Sequence, residues 1–369
     1  MNFALIFILL IICLFFGVNN KVQKFAYFIF AAIFSLIFAF RPSSSPDTAE
    51  YIHIFQSINA YDNWFDTIER FEVGYCVLNR IVKFLTDSYE CLFFVVSLFN
   101  YFVYYIVLNK VIKEQRNNDK KTVFVAFVPI LAFYTSYYGL LYNAIALRAG
   151  LAISLLYLSF FLLYEKRFLG GIVTFILAPF FHQTAVLALP LVPLFYYRKT
   201  IRKNTSFVIL FFSFFLYIIN IRTFTTSLIP RIADILYSRF PDVPLFWWLS
   251  HYTENNKAEE GGISAYMLLN FILTYILICN SKKRLDTFGF VYLIGIIIYS
   301  LFGNYSLMVR YAEYFLFSVC LSYGVLFSSY GDIILSSNAY NLRVNRIIFC
   351  FIISMLFFII FLRNSVHII

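Results

Sequence analysis

The sequence predicts an all-α polytopic membrane protein, with about twelve transmembrane helices and amphipathic interfacial helices on its outer face. Three observations carry this. Of 369 residues, 62% are apolar and only 13% are charged, whereas a soluble domain carries about 25% charged residues. Aromatic residues make up 22%, with 48 phenylalanines, more apolar surface than a solvated exterior of this size can cover. The apolar residues fall in runs that approach the ~20 residues needed to cross ~30 Å of hydrocarbon. This excludes a disordered chain, a disulfide-built secreted module and an ordinary soluble enzyme.

The expected spans are 1–18, 25–40, 91–109, 122–138, 144–164, 168–181, 183–197, 206–221, 264–280, 287–303, 311–330 and 347–362. The first enters its apolar run at once, with no basic start and no small-residue cleavage site, so it reads as a span rather than a signal peptide. Basic residues gather in every second connection: Lys21 and Lys24; Lys110 to Lys121; Lys166 and Arg167; Arg198 to Lys203; Lys282 to Arg284; Arg343 and Arg346. These connections hold 18 basic and five acidic residues, a net +13, while the rest of the chain carries a net −3. The positive-inside rule puts the basic set in the cytoplasm and both termini outside. The overall +10 is thus an orientation signal, and nucleic acid is not an expected partner.

The stretch 168–197 is long for one span and short for two. Pro179, Pro190 and Pro193 favour a broken hairpin over a straight helix, with His182 at its outer tip. The chain is expected to form one integral membrane domain, 1–369, with two long outer segments, 41–90 and a second outer loop at 222–263. In the first, Ser45 can cap a helix that has Pro46 at its first position and Asp47 and Glu50 in its first turn. Tyr51, Ile54, Phe55 and Ile58 follow with helical spacing. A second amphipathic stretch puts Phe71, Tyr75, Leu78, Val82 and Leu85 on one face. Both are expected to lie in the membrane interface and to roof an outward-facing cavity.

Polar residues converge at that level. Arg148 stands about one turn into an apolar span, where a charge costs up to ~3 kcal/mol. Arg310 opens another span, and Arg41 closes the second one. Guanidinium groups aimed into a partly desolvated site suit a phosphate or pyrophosphate. On a face without nucleotides, a phosphate ester at membrane depth is most simply a lipid-linked one. Each residue also has a plainer reading: Arg148 as a lipid-phosphate anchor, Arg310 paired with Glu313, His182 as a helix-end cap, and Asp47 as helix-dipole support. The Trp247-Trp248 pair fits an interface belt, and its rings also suit stacking on a sugar. The six cysteines are scattered, and no Cys/His spacing resembles a zinc site.

The segments PDTAEYIHIF, FEVGYCVLN, NAIALRAGLAISL, FFHQTAVLALPL and VRYAEYF, in that order over about 40–320, resemble the successive motifs of the EpsG family. Its members are membrane proteins of exopolysaccharide, capsule and O-antigen clusters, similar to Wzy-type polymerases. The motif positions single out Asp47, Tyr51, Glu72, Arg148, His182 and Arg310. A glutamine often follows the arginine in that family, whereas Ala149 stands here.

The resemblance implies a polytopic, GT-C-like glycosyltransferase of the bacterial cytoplasmic (inner) membrane, its active site facing the periplasm or exterior. It would join undecaprenyl-pyrophosphate-linked oligosaccharide repeat units by inverting transfer. Pyrophosphate binding falls to Arg148, Arg310 and Arg41, and weaker sugar contact to Tyr51, Trp247 and Trp248. His182 is the first choice of base, since its ordinary pKa is near neutrality; Asp47 or Glu72 is the second. No metal is expected, since no DxD-like pair or metal-ligand set stands out, and no nucleotide cofactor, because the pyrophosphate linkage supplies the driving force. Expected partners are membrane lipids and a chain-length regulator and flippase of the same pathway. The competing readings are a lipid-linked oligosaccharide flippase or transporter, an O-antigen ligase and a non-catalytic scaffold.

Overall fold

The computed structural model describes residues 3–15, 20–58, 72–119, 127–241, 262–328 and 339–366. It is almost entirely helical; the two strands described are β1 (Ile201–Arg202) and β2 (Arg284–Leu285), which pair antiparallel. The chain forms two compact units, Met1–Tyr197 with Cys320–Ile369, and Arg198–Val319.

In the first unit, α1 (Phe3–Phe15) and α2 (Asn20–Ala39) precede two short helices, α3 (Thr48–Ser57) and α4 (Val73–Leu85). Then come α5 (Tyr89–Asp119) and α6 (Phe127–Tyr134). Two wide π-helical turns, Thr135–Gly139 and Leu141–Ile145, lead into α7 (Leu147–Tyr164). The unit continues through α8 (Phe168–Leu177), two 3₁₀ turns at Ala178–Phe180 and Gln183–Ala188, and α9 (Leu191–Tyr196).

The second unit holds α10 (Lys203–Ile218), α11 (Ile221–Arg239), α12 (Ala265–Asn280), α13 (Thr287–Phe302) and α14 (Ser306–Leu316). The chain then returns through α15 (Ser318–Ser328) and α16 (Ala339–Val366).

Among the described residues, three helices are long and apolar enough to cross a membrane on their own: Val22–Ala39, Tyr89–Lys113 and Leu147–Tyr164. The other expected spans are shorter apolar helices or broken pairs, so these lengths do not establish a count of twelve. Phe25, Phe40, Leu169 and Phe211 turn outward from the protein, as lipid-facing residues of a multi-pass membrane protein do.

Stretch 168–197 does double back. Lys166 at its entry donates to the Tyr196 carbonyl at its exit, and its ammonium sits 3.8 Å from the centre of the Tyr196 ring. Between these feet the helix breaks at Pro179 into 3₁₀ geometry, and His182 occupies the extended residue between the two turns.

Three local expectations differ. The helix expected to be capped by Ser45 starts at Thr48, with Asp47 before it in the left-handed region at φ 58°. The buried face of α4 carries Tyr75, Cys76, Asn79 and Val82, whereas Leu85 is 75% exposed. The helix is apolar on both sides, so its outward face is also made of Val77, Ile81, Phe84 and Leu85. The second outer loop opens not as a loop but as α11, which contains Pro230 and meets α10 at a 74° bend.

Candidate active site

The motif segments of the first unit meet around one carboxylate. Glu72 is the N-cap of α4, yet its side chain makes no cap hydrogen bond and reaches toward other elements. Arg148 Nη1 donates to its Oε2 at 2.8 Å. Its Oε1 lies 3.2 Å from His182 Nδ1 and accepts the Gln183 backbone N–H at 3.2 Å. The Glu72 side chain is only 8% exposed. Burial alone would push its carboxyl up, but the His182 hydrogen bond and the Arg148 charge outweigh that and hold it down at about 2. At neutral pH it is an anion, and a weak base.

Local backbone explains this meeting. The π turns end at Ala146 (φ −96°, ψ 65°), so α7 restarts at Leu147 with Arg148 in its first turn. A helix start already carries partial positive charge, and the anionic Glu72 offsets both that and the guanidinium. Two glycines permit the close packing. A Cβ on Gly74 would lie 2.7 Å from the Phe180 carbonyl oxygen, so only glycine lets α4 press against the hairpin tip. A Cβ on Gly150 would lie 2.4 Å from the Tyr142 carbonyl oxygen, which keeps α7 tight against the π turn.

Arg41 lies beside this group. It is 4% exposed and donates from Nε to Thr48 Oγ1 and from Nη1 to the Asn143 carbonyl, each at 2.9 Å. That carbonyl lies in the second π turn and also accepts the Ser97 hydroxyl at 3.4 Å. The Arg41 guanidinium stacks over Phe93 at 3.9 Å, and burial pulls it down to about 10 against the fields of Tyr51, Tyr75 and Asp47. Its Nη2 is buried and has no hydrogen-bond partner among the described residues. Arg41 and Arg148 flank one ring, their guanidinium carbons 6.0 and 5.8 Å from the Tyr51 centroid.

The structure thus brings together Arg41, Tyr51, Glu72, Arg148 and His182. Asp47 is exposed and acts on Arg41 and Tyr51 through its charge. Arg310 is exposed on α14 in the second unit; Glu313, its expected local partner, instead bonds Tyr266. Trp247 and Trp248 lie outside the described residues. Among those residues, no three His, Cys, Asp or Glu side chains gather as a metal site would require.

Sequence reasoning missed Asn143, whose Oδ1 accepts from Asn100 at 2.8 Å and whose carbonyl anchors Arg41. Its signals were an amide inside an apolar run and its place at the head of the segment NAIALRAGLAISL.

A helical, multi-pass membrane protein with a carboxylate–arginine–histidine cluster at a hairpin tip is the class that fold and site define. The chain belongs to the EpsG family, which it matches over residues 24–368, nearly its whole length. That family includes Wzy-type polymerases, so this is a polysaccharide polymerase-like membrane protein. No curated protein and no solved structure matches it.

Proposed function

We propose that the protein is a glycosyltransferase that polymerises undecaprenyl-pyrophosphate-linked oligosaccharide repeat units on the extracytoplasmic face of the bacterial cytoplasmic membrane. The observation that carries this reading is Glu72 held between Arg148 and His182. With Nδ1–H of His182 donating to Glu72, its Nε2 holds a lone pair, as in other carboxylate-oriented histidines. Glu72 then positions the base and does not itself abstract a proton.

The acceptor hydroxyl gives its proton to His182 Nε2 as its oxygen attacks the anomeric carbon. The bond from that carbon to the pyrophosphate breaks, and the undecaprenyl pyrophosphate leaves with the electron pair. Attack opposite the leaving group inverts the centre. Negative charge grows on the pyrophosphate in this step, and a preorganised Arg148 stabilises it. Arg41 Nη2, buried and without a hydrogen-bond partner among the described residues, adds a second donor. An O-antigen ligase would use the same donor and chemistry with a different acceptor.

The test is the length profile of surface glycan. A deletion strain, and a strain carrying Arg148→Ala at normal protein level, should display single repeat units in place of long chains. Persisting long chains in both overturn the polymerase; complete loss of capped lipid points to the ligase or flippase.

A further inference from the structure

The second unit contains a polar cluster of its own, which the chemistry above does not use. Glu313 on α14 is 9% exposed. Its Oε2 accepts the Tyr266 hydroxyl at 3.1 Å, and among the described residues no ion pair involves it. The Tyr266 ring lies 6.3 Å from that of Tyr299, and Tyr299 sits in the fields of Glu313, Tyr217 and Arg222. Arg222, 3% exposed, spreads over the Tyr217 ring at 4.1 Å. Thr225 bonds the Leu301 carbonyl, which ties the start of α11 to the end of α13. Close by in the chain, Asn220 and Asn304 each bury a side-chain oxygen that has no hydrogen-bond partner among the described residues.

Burying a carboxylate costs several kcal/mol unless donors surround it. A carboxyl group offers more than one hydrogen-bonding site, and among the described residues Glu313 makes one bond. Spare acceptors beside tyrosine rings are the chemistry that binds a pyranose, whose hydroxyls donate and whose C–H face stacks on aromatics.

We propose that the Glu313–Tyr266 cluster of the second unit is a binding site for a phosphate-free sugar. On the reading of the preceding section, from which the identity of the glycan is taken, that sugar belongs to the repeat unit. Glu313 exchanges hydrogen bonds with its hydroxyls, beside the partly exposed Tyr299 ring.

The probe is one repeat-unit oligosaccharide, freed of lipid and phosphate, from the producing strain's own surface polymer. Calorimetry with the purified full chain in detergent should show binding that Glu313→Gln and Tyr266→Phe each weaken about tenfold, or ~1.4 kcal/mol. On the wild-type protein, the bound oligosaccharide should also slow carbodiimide coupling at Glu313, a readout that needs no variant to fold. The proposal is overturned if the wild type does not bind, if coupling at Glu313 proceeds at the same rate with and without the oligosaccharide, or if both variants bind like the wild type. Long chains in the deletion strain would defeat the polymerase and leave this site standing.

Discussion

Glu72 and Glu313 are both carboxylates withdrawn from water, one in each compact unit, and their company is opposite. Glu72 has an arginine on one oxygen and a histidine and a backbone N–H on the other. Among the described residues, Glu313 has a single tyrosine hydroxyl. The first is fully compensated and its charge is fixed, which suits a residue that orders other groups. The second keeps acceptor capacity in hand, which suits a residue that meets a ligand. Burial alone therefore says little about what a carboxylate does; its donors decide.

The sharpest way to break this comparison is Glu72→Ala. It releases Arg148 and His182 together, and glycan transfer should fall by about 10²-fold or more. Glu72→Gln is informative beside it, because it removes the charge and keeps the shape. Glu72 is held down from 4.5 to about 2, so its pairing stabilises the fold fully above the ordinary carboxylate range. That stabilisation, an upper bound of roughly 3 kcal/mol, drains as the pH falls from about 4.5 through 2. The thermal midpoint of the wild type should converge on that of Glu72→Gln across the same acid window; a gap that stays constant there would remove the ion pair from the argument.

Gly74→Ala should come next. The added methyl meets the Phe180 carbonyl oxygen at 2.7 Å, so α4 must move off the hairpin tip. Stability should drop by about 1–3 kcal/mol, with transfer reduced more than the stability loss alone explains. A variant with normal chain lengths would show that the tip tolerates the shift.

The smallest expected effect is at Asp47, whose exposed side chain makes no cap bond and whose backbone is left-handed. Asp47→Gly should relieve that strain by about 0.5–1 kcal/mol and leave transfer within about tenfold of the wild type. A larger loss of transfer would move the role of base from His182 to Asp47.

Much of the fold was legible because lipid imposes simple rules. The helices follow the apolar runs, and the three prolines near His182 mark the break in the hairpin. Rotation about a helix axis was harder to read. In water, the apolar face of α4 would point inward; in a membrane protein both faces are apolar, so periodicity gave Leu85 where the packing uses Cys76 and Asn79. The segment expected as a second outer loop likewise opens as α11, which runs through Pro230.

In the site, the motif segments named the right residues, but not their bonds. Glu72 and His182 stand 110 positions apart, and no local pattern links them. The carbonyl that holds Arg41 lies in a π turn, a geometry that composition does not announce.

The contact between Gly74 and the Phe180 carbonyl also binds two distant stretches of the chain to a common history. Neither the glycine nor the backbone path of the tip is free to drift alone, since bulk gained at one must be matched by retreat at the other. A homologue bearing a larger residue at the first position should carry an altered turn at the second, so the fit would be inherited as a pair.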